Sequence, residues 1–261
     1  MNFHLALITG ATSGIGEALA RLLSFKKIPL LIVGRNRKKL QALKKEFSKN
    51  TQVTPIAADL SKKQGREKII QIIRKRHPDL IVNCAGVGFW GEAIKLPKKD
   101  LNEILETNIK ALVDFSIEGA KSLVKHREEG VILNLSSAAG ELTTPKWAAY
   151  GASKAFILSF SKAMDLELES YGVRVLVSRP GVVKNAFASR AAKRPIRYTG
   201  PIRAFLMKPE VLAKRLWKQI TKRKRSDLPD KRYFPLIFFS KISPEKLNRA
   251  IYYKLLSFYE K

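Results

Sequence analysis

The sequence predicts a doubly wound α/β fold: one parallel sheet with helices on both faces. Short apolar runs recur along the 261 residues, each run is nearly continuous rather than alternating, and helix-length amphipathic segments separate them. Continuous apolarity is how strands covered on both faces read. Regular alternation of such strands with helices calls for right-handed crossovers within one sheet.

The runs fall at residues 5–8, 30–33, 53–57, 80–82, 131–135 and 173–177, each too short for a helix and rich in leucine or β-branched residues. Between them, 17–25, 38–47, 64–76, 101–123 and 148–168 carry apolar residues at helical spacing. After Gly181 the periodicity weakens, and Pro195, Pro201, Pro209, Pro229 and Pro235 punctuate a basic, aromatic stretch. Lys208-Pro209-Glu210-Val211 opens one amphipathic helix there, and Leu247, Ile251, Leu255 and Phe258 form the stripe of another beginning near Pro244. With no repeat, low-complexity tract or linker, the expectation is a single domain over residues 1–261. Its core covers about 3–185, and a substrate lid with a basic aromatic C-terminal region covers about 186–261.

The formal charge is +28, and 21 lysines and arginines face 5 acids from Val182 onward. Such a field attracts nucleic acid, anionic membrane and phosphorylated ligands alike and says nothing about fold. No nucleic-acid motif accompanies it, so a nucleic-acid partner is set aside. The single cysteine, Cys84, excludes a disulfide framework and a cysteine metal cluster, and its apolar surroundings predict a core thiol in a reducing compartment. No metal site is expected. Met1-Asn2-Phe3-His4 leads straight into a strand pattern, and no apolar run approaches the roughly 18 residues of a spanning helix. The expected location is the cytoplasm.

The first strand ends in Thr9-Gly10-Ala11-Thr12-Ser13-Gly14-Ile15-Gly16 and runs directly into a helix. Glycine lets the chain turn sharply, lets a pyrophosphate approach the backbone and lets the helix start pack close to the sheet. The helix N-terminus then presents unpaired N–H groups and positive dipole to the phosphates. The second strand ends in Gly34-Arg35-Asn36-Arg37, where such folds meet the adenosine ribose. An acid there would accept from a free 2′-hydroxyl, whereas Arg35 can pair with a 2′-phosphate. With no acid nearby in the sequence, the expected cofactor is NADP(H).

Tyr150-Gly151-Ala152-Ser153-Lys154, with Thr9-Gly10-x3-Gly14-x-Gly16, resembles the short-chain dehydrogenase/reductase family and its Rossmann-type fold. Further marks follow in the family's order: Asp59-Leu60, Asn83-Cys84-Ala85-Gly86, Asn108, Ser136-Ser137 and Pro180-Gly181, so the resemblance covers about residues 3–185. It implies an oxidoreductase interconverting a carbonyl and an alcohol, with a catalytic tetrad of Asn108, Ser137, Tyr150 and Lys154. Ser137 is preferred to Ser136 because it stands thirteen residues before the tyrosine, as in the family. The implied cofactor contacts are Gly10, Ser13, Gly14, Ile15, Gly16, Arg35, Asn36, Asp59, Leu60, Asn83, Ala85, Gly86, Pro180, Gly181 and Val183, besides Tyr150 and Lys154. Four residues apart on a helix, Tyr150 and Lys154 share a face, and the ammonium is expected to lower a phenol pKa of about 10. Asn108 is expected to hold a water linking Lys154 to solvent. Homo-oligomerisation through the helices around Asn108 and Tyr150 is also implied.

The pattern departs from the family at Asn185, where many members have threonine, and in lacking a C-terminal strand that ends in two glycines. The substrate pocket is expected to be framed by residues 87–92, 138–147 and about 182–207, with Phe89, Trp90, Leu142 and Trp147 making it apolar. A different class of function, a dinucleotide sensor without turnover, would keep the fold and lose the chemistry. In the tail, Tyr233, Phe234, Phe238, Phe239, Tyr252, Tyr253, Phe258 and Tyr259 are interleaved with lysine and arginine. Packing on the domain is the first reading of that segment, and peripheral contact with an anionic membrane the second.

Overall fold

The computed structural model describes residues 3–244 together with Leu247, Arg249 and Tyr253. A seven-stranded sheet runs in the order β3-β2-β1-β4-β5-β6-β7 and every neighbouring pair is parallel. The first six strands are β1 (Ala6–Thr9), β2 (Leu30–Gly34), β3 (Val53–Ala57), β4 (Leu80–Asn83), β5 (Gly130–Leu135) and β6 (Val173–Ser178). The helices between them are α1 (Gly14–Phe25), α2 (Arg37–Phe47), α3 (Lys63–Arg76), α4 (Lys98–Ile104), α5 (Ala111–His126) and α6 (Ala148–Leu168). This is a Rossmann-type doubly wound sheet, as the alternation predicts.

Both strand faces are covered because successive residues bury opposite ways. In β1, Ala6 and Ile8 join Leu19 and Leu23 of α1, while Leu7 joins Ile69 and Ile73 of α3 and Phe115 of α5. β1 lies between β2 and β4, so the crossovers leave it in opposite directions. A crevice therefore opens at the carboxyl ends of β1 and β4, where open α/β sheets hold ligands.

Two differences from the sequence reading have physical reasons. The helix expected over 101–123 is broken by a π-helical turn, Leu105–Lys110, which carries Asn108. A single turn of this kind is too short to stand out in a helical pattern of this length. A C-terminal strand is present but without the two glycines: β7 (Ser226–Asp227) pairs parallel to β6. Two residues make no apolar run, and the strand is held from outside it, because Arg225 donates to fully buried Asp165 at 2.7 Å. The remaining helices are α7 (Phe187–Ala192), α8 (Pro209–Thr221) and α9 (Tyr233–Ile242). α8 lays Leu212, Leu216 and Ile220 into the same core as α1. Of the tail stripe, Leu247 is helical, while Ile251, Leu255 and Phe258 lie outside the described residues, as do Tyr252 and Tyr259.

Candidate active site

The crevice deepens into a cavity of about 320 Å³. Its floor is the glycine turn. Gly10 has φ +69°, and a Cβ there would sit 2.9 Å from the backbone of Ala85, while a Cβ on Gly16 would sit 2.4 Å from the carbonyl oxygen of Gly10. Side chains would close the space between turn and helix, so the turn stays open only as glycine. Ser13 takes the N-cap position of α1 in extended geometry without a side-chain hydrogen bond. The first N–H groups of α1 therefore keep their capacity for an anion. A cradle open in backbone and uncapped at a helix start fits a pyrophosphate.

Gly10, Ser13, Gly14, Ile15, Ala85, Gly86, Ser137, Tyr150, Lys154, Pro180, Gly181 and Val183 line the cavity, as the motifs imply. The remaining implied residues do not. Gly16 lies behind the turn. Asn36 caps α2, accepting from Lys39 N at 2.9 Å. Asp59 accepts from the amide and hydroxyl of Ser61 at 3.1 and 2.8 Å. Leu60 is core. Asn83 donates to Ser116 and Asn134 beneath the cavity, at 3.1 and 2.9 Å. Arg35 is exposed at the end of β2 and bonded to Glu103 at 2.8 Å. The sequence shows no acid near Arg35, and the fold supplies one from 68 positions away.

Tyr150 sits on the first turn of α6, wedged between Trp147 and Phe187 at ring-centroid distances of 5.2 Å each. Its hydroxyl faces Ser137 closely enough for that side chain to pull the phenol down. Ser137 Oγ accepts from Ala139 N at 3.2 Å and donates to Pro180 O at 3.4 Å. Lys154 Nζ lies 5.6 Å from the Tyr150 ring centre and donates to Leu135 O at 2.7 Å. Burial pushes the phenol up to about 12, against the opposing pull of Ser137, and brings the Lys154 ammonium down to about 8. The expected lowering of the tyrosine is thus not found, because desolvation of the phenolate is the largest influence on it.

Asn108 is fully buried, and its carboxamide exchanges two 2.9 Å hydrogen bonds with the main chain of Val87 and donates to Ser153 Oγ at 3.0 Å. Its side chain therefore pins the turn after β4 to α6. A Cβ on Gly86 would lie 3.5 Å from Asn108 Oδ1 and 3.6 Å from Lys154 Nζ, so the two side chains meet across that glycine. Cys84, half-buried, packs against the core and also lines the cavity, and burial pushes its thiol up to about 12.

The apolar wall is partly as expected: Leu142 and Trp147 line it, with Phe187, Tyr198, Ile202 and Phe205 from the lid. Residues 87–92 do not. Phe89 and Trp90 lie outside the cavity, where Trp90 N donates to Ala191 O at 3.1 Å and Lys146 and Arg194 approach its ring at 5.1 and 5.2 Å. In their place α9 brings Tyr233 and Leu236. Tyr233 Oη accepts from Val182 N at 3.0 Å, and its ring fills the space a side chain on Gly181 would need. The aromatic tail was the only sequence signal for this contact.

Residues 4–195 match the family model of the short chain dehydrogenases. The sulfoacetaldehyde reductase 2 of Chromohalobacter salexigens is 32% identical over 186 residues, 70% of this chain and 74% of that protein. A short-chain dehydrogenase from Sphingobium yanoikuyae, solved in complex with NADPH, superposes with a TM-score of 0.81 at 25% identity over 89% of this chain and 91% of the other. One from Burkholderia phymatum, solved with NAD, superposes with a TM-score of 0.81 at 20% identity over 91% and 92%. With the glycine turn, the Ser137–Tyr150 pair and Lys154 in one cavity, the chain belongs to the short-chain dehydrogenase family of oxidoreductases.

Proposed function

We propose that the chain is an NADP(H)-dependent oxidoreductase interconverting a carbonyl and an alcohol on an apolar substrate, with Tyr150 as acid and base. The observation that carries this reading is the Tyr150 ring beside Ser137 and Lys154 inside a cavity walled by Trp147, Phe187 and Phe205. Bound at the glycine turn, the nicotinamide cofactor supplies or accepts the hydride at the carbonyl carbon. In reduction Tyr150 gives its proton to the carbonyl oxygen, a role suited to a phenol that is fully protonated at neutral pH. Ser137 donates to the same oxygen as its charge grows. Lys154 stabilises the phenolate left behind and holds the nicotinamide ribose. Asn108 is a positioning residue that acts through Val87 and Ser153.

Two arginines support the phosphorylated cofactor. Arg35 stands at the end of β2, and Arg190 of α7 lines the cavity close enough to Arg35 to feel its charge. Burial and then that neighbour hold the Arg190 guanidinium below its ordinary value. Like charges brought together favour an anion between them. We also propose that a second copy covers the apolar groove between α5 and α6, lined by Ile117, Ala120, Phe160, Met164 and Tyr171. Light scattering reads that association directly.

The test of function is Tyr150→Phe. It removes only the proton-exchanging hydroxyl, so turnover of a carbonyl panel should fall by about 10² to 10⁴-fold. NADPH affinity, followed by cofactor fluorescence, should stay within about twofold. Near-normal turnover removes Tyr150 from the chemistry. Binding of NADPH with no turnover by the unmodified protein on any carbonyl would favour a sensor.

A further inference from the structure

Helix α9 has two apolar sides, and only one of them is used by the fold. It buries Tyr233 and Ile237 against Ala138 and Leu228 and turns Leu236 to the cavity. On the outer side Phe234, Phe238, Phe239 and Ile242 are 60, 50, 55 and 63% exposed. Phe234 stacks on Phe238 at 6.2 Å and Phe238 meets Phe239 edge-on at 5.8 Å, so these rings form one patch. Leu247 and Tyr253 extend the run of exposure along the chain. Six of the fourteen exposed large apolar side chains among the described residues thus fall within one 20-residue stretch. Singly scattered exposure needs no explanation, but a contiguous patch marks a contact.

The chemistry of the surroundings selects the partner. Residues 231–261 carry seven lysines and arginines against two acids. A second copy meeting this face with the same patch would bring the same basic segment to it, whereas an anionic surface would be drawn to it. Lys231, Arg232 and Lys241 keep acidic partners within the fold, so the attraction comes from the summed field rather than from one cation. Ten residues of helix reach about 15 Å, half a bilayer core, and among the described residues no helix is long and apolar enough to cross a membrane. A helix of this kind lies in the interface, with apolar side chains among the acyl chains and cations at the headgroups.

We propose that α9 docks the protein on an anionic bilayer through Phe234, Phe238, Phe239 and Ile242, so that a lipid-borne carbonyl compound enters past Tyr233 and Leu236. The docking stands on α9 alone, and only the nature of the substrate rests on the oxidoreductase reading.

The experiment is sedimentation of the full chain with phosphatidylcholine vesicles, with and without phosphatidylserine, at low and high salt. The protein should pellet with the anionic vesicles only, and less at high salt. The triple variant Phe234→Ser, Phe238→Ser, Phe239→Ser should lose at least about tenfold in vesicle partitioning, each ring contributing through buried apolar area. Its NADPH affinity should be unchanged, which shows that it folds. Equal pelleting of variant and parent would assign binding to the general field and overturn the proposal. So would failure of the parent to pellet, or a change in oligomeric mass without a change in partitioning, which would put a second copy on the patch. Neither vesicle binding nor cofactor fluorescence needs turnover, so failure of the reductase reading registers separately.

Discussion

The two walls of the cavity are made of different material. The cofactor wall is backbone: turns after β1, β4, β5 and β6, held level by a parallel ladder in which Thr9 pairs with Val33 and Asn83 with Asn134. The substrate wall is side chain. Phe187, Arg190, Tyr198, Phe205 and Tyr233 come from segments tied to the rest of the domain at points: Lys193 to Asp100 at 2.6 Å, Lys241 to Glu141 at 3.2 Å, and the Tyr233 hydroxyl to Val182. Those ties span 93, 100 and 51 positions. One wall follows from local spacing, and the other from contacts that local spacing does not contain.

If that distinction is right, glycine means different things in the two walls. A Cβ on Gly16 would strike the Gly10 carbonyl, which is backbone and cannot yield, whereas a Cβ on Gly181 would strike the Tyr233 ring, which is a side chain. Gly16→Ala and Gly181→Ala should each cost about 1 to 3 kcal/mol or more in urea unfolding. The double-mutant cycle with Tyr233→Ala should show coupling above about 1 kcal/mol for Gly181 and near-additivity for Gly16. Additivity in both cycles would mean that Tyr233 is not what requires glycine at that position.

The same contrast explains what could be read from residues alone. Strand positions, the glycine turn and the Tyr150/Lys154 spacing are local patterns, and the fold places them as they predict. Phe89 and Trp90 were drawn into the pocket by proximity to the Asn83–Gly86 turn. The chain there bends outward to meet Ala191 and Lys146. Glu103 against Arg35, Tyr233 against Gly181 and the two-residue β7 are long-range outcomes with no period or motif to announce them. The raised phenol of Tyr150 belongs with these, since burial sets it and burial is a property of the assembled cavity.

The titration of Lys154 tests the cofactor wall next. With its ammonium brought down to about 8, reduction should be fastest below that pH and decline above it, by up to about tenfold per unit, as the positive charge opposite the forming phenolate is lost. Tyr150, at about 12, stays protonated throughout this range. Lys154→Arg, which keeps its charge to far higher pH, should move that limb upward even if the maximum rate drops. The linked effect on stability has the opposite direction. A lysine depressed from 10.5 to about 8 leaves the unfolded chain holding the extra proton between those values, so its contribution to stability rises with pH across that window. A reductive profile flat from pH 7 to 10 would separate Lys154 from the step.

A smaller effect is expected at Arg35. A charge-assisted bond contributes about 1.5 to 3 kcal/mol, but Arg35 is 60% exposed at its side chain and must leave Glu103 to meet a phosphate. The net preference is therefore expected at the low end. Arg35→Ala should weaken NADPH by about tenfold and leave NADH within about twofold, measured by cofactor fluorescence. Equal losses for both cofactors would reduce Arg35 to one more cation in a basic chain. Little loss for either in Arg35→Ala, with a large NADPH loss in Arg190→Ala, would move the phosphate contact to the lid.

The smallest effect belongs to the tether of α9. Glu141 is shared: Arg179, immediately before Pro180-Gly181, pairs with it from the cofactor side, and Lys241 pairs with it from the end of α9. The Glu141 carboxylate is nearly enclosed, while the Lys241 side chain is 60% exposed. Lys241→Ala removes only the outer partner and leaves Glu141 bonded to Arg179. It should cost less than about 1 kcal/mol and leave NADPH affinity unchanged. Amide hydrogen exchange should quicken within α9 and nowhere in the sheet. Glu141→Ala leaves the mostly buried Arg179 without its carboxylate, so it should cost about 3 kcal/mol or more and disturb both walls together. If Lys241→Ala proved as costly as Glu141→Ala, α9 would be held by the same cooperative core as the strands, and the substrate wall would no longer be a separately tethered part of the molecule.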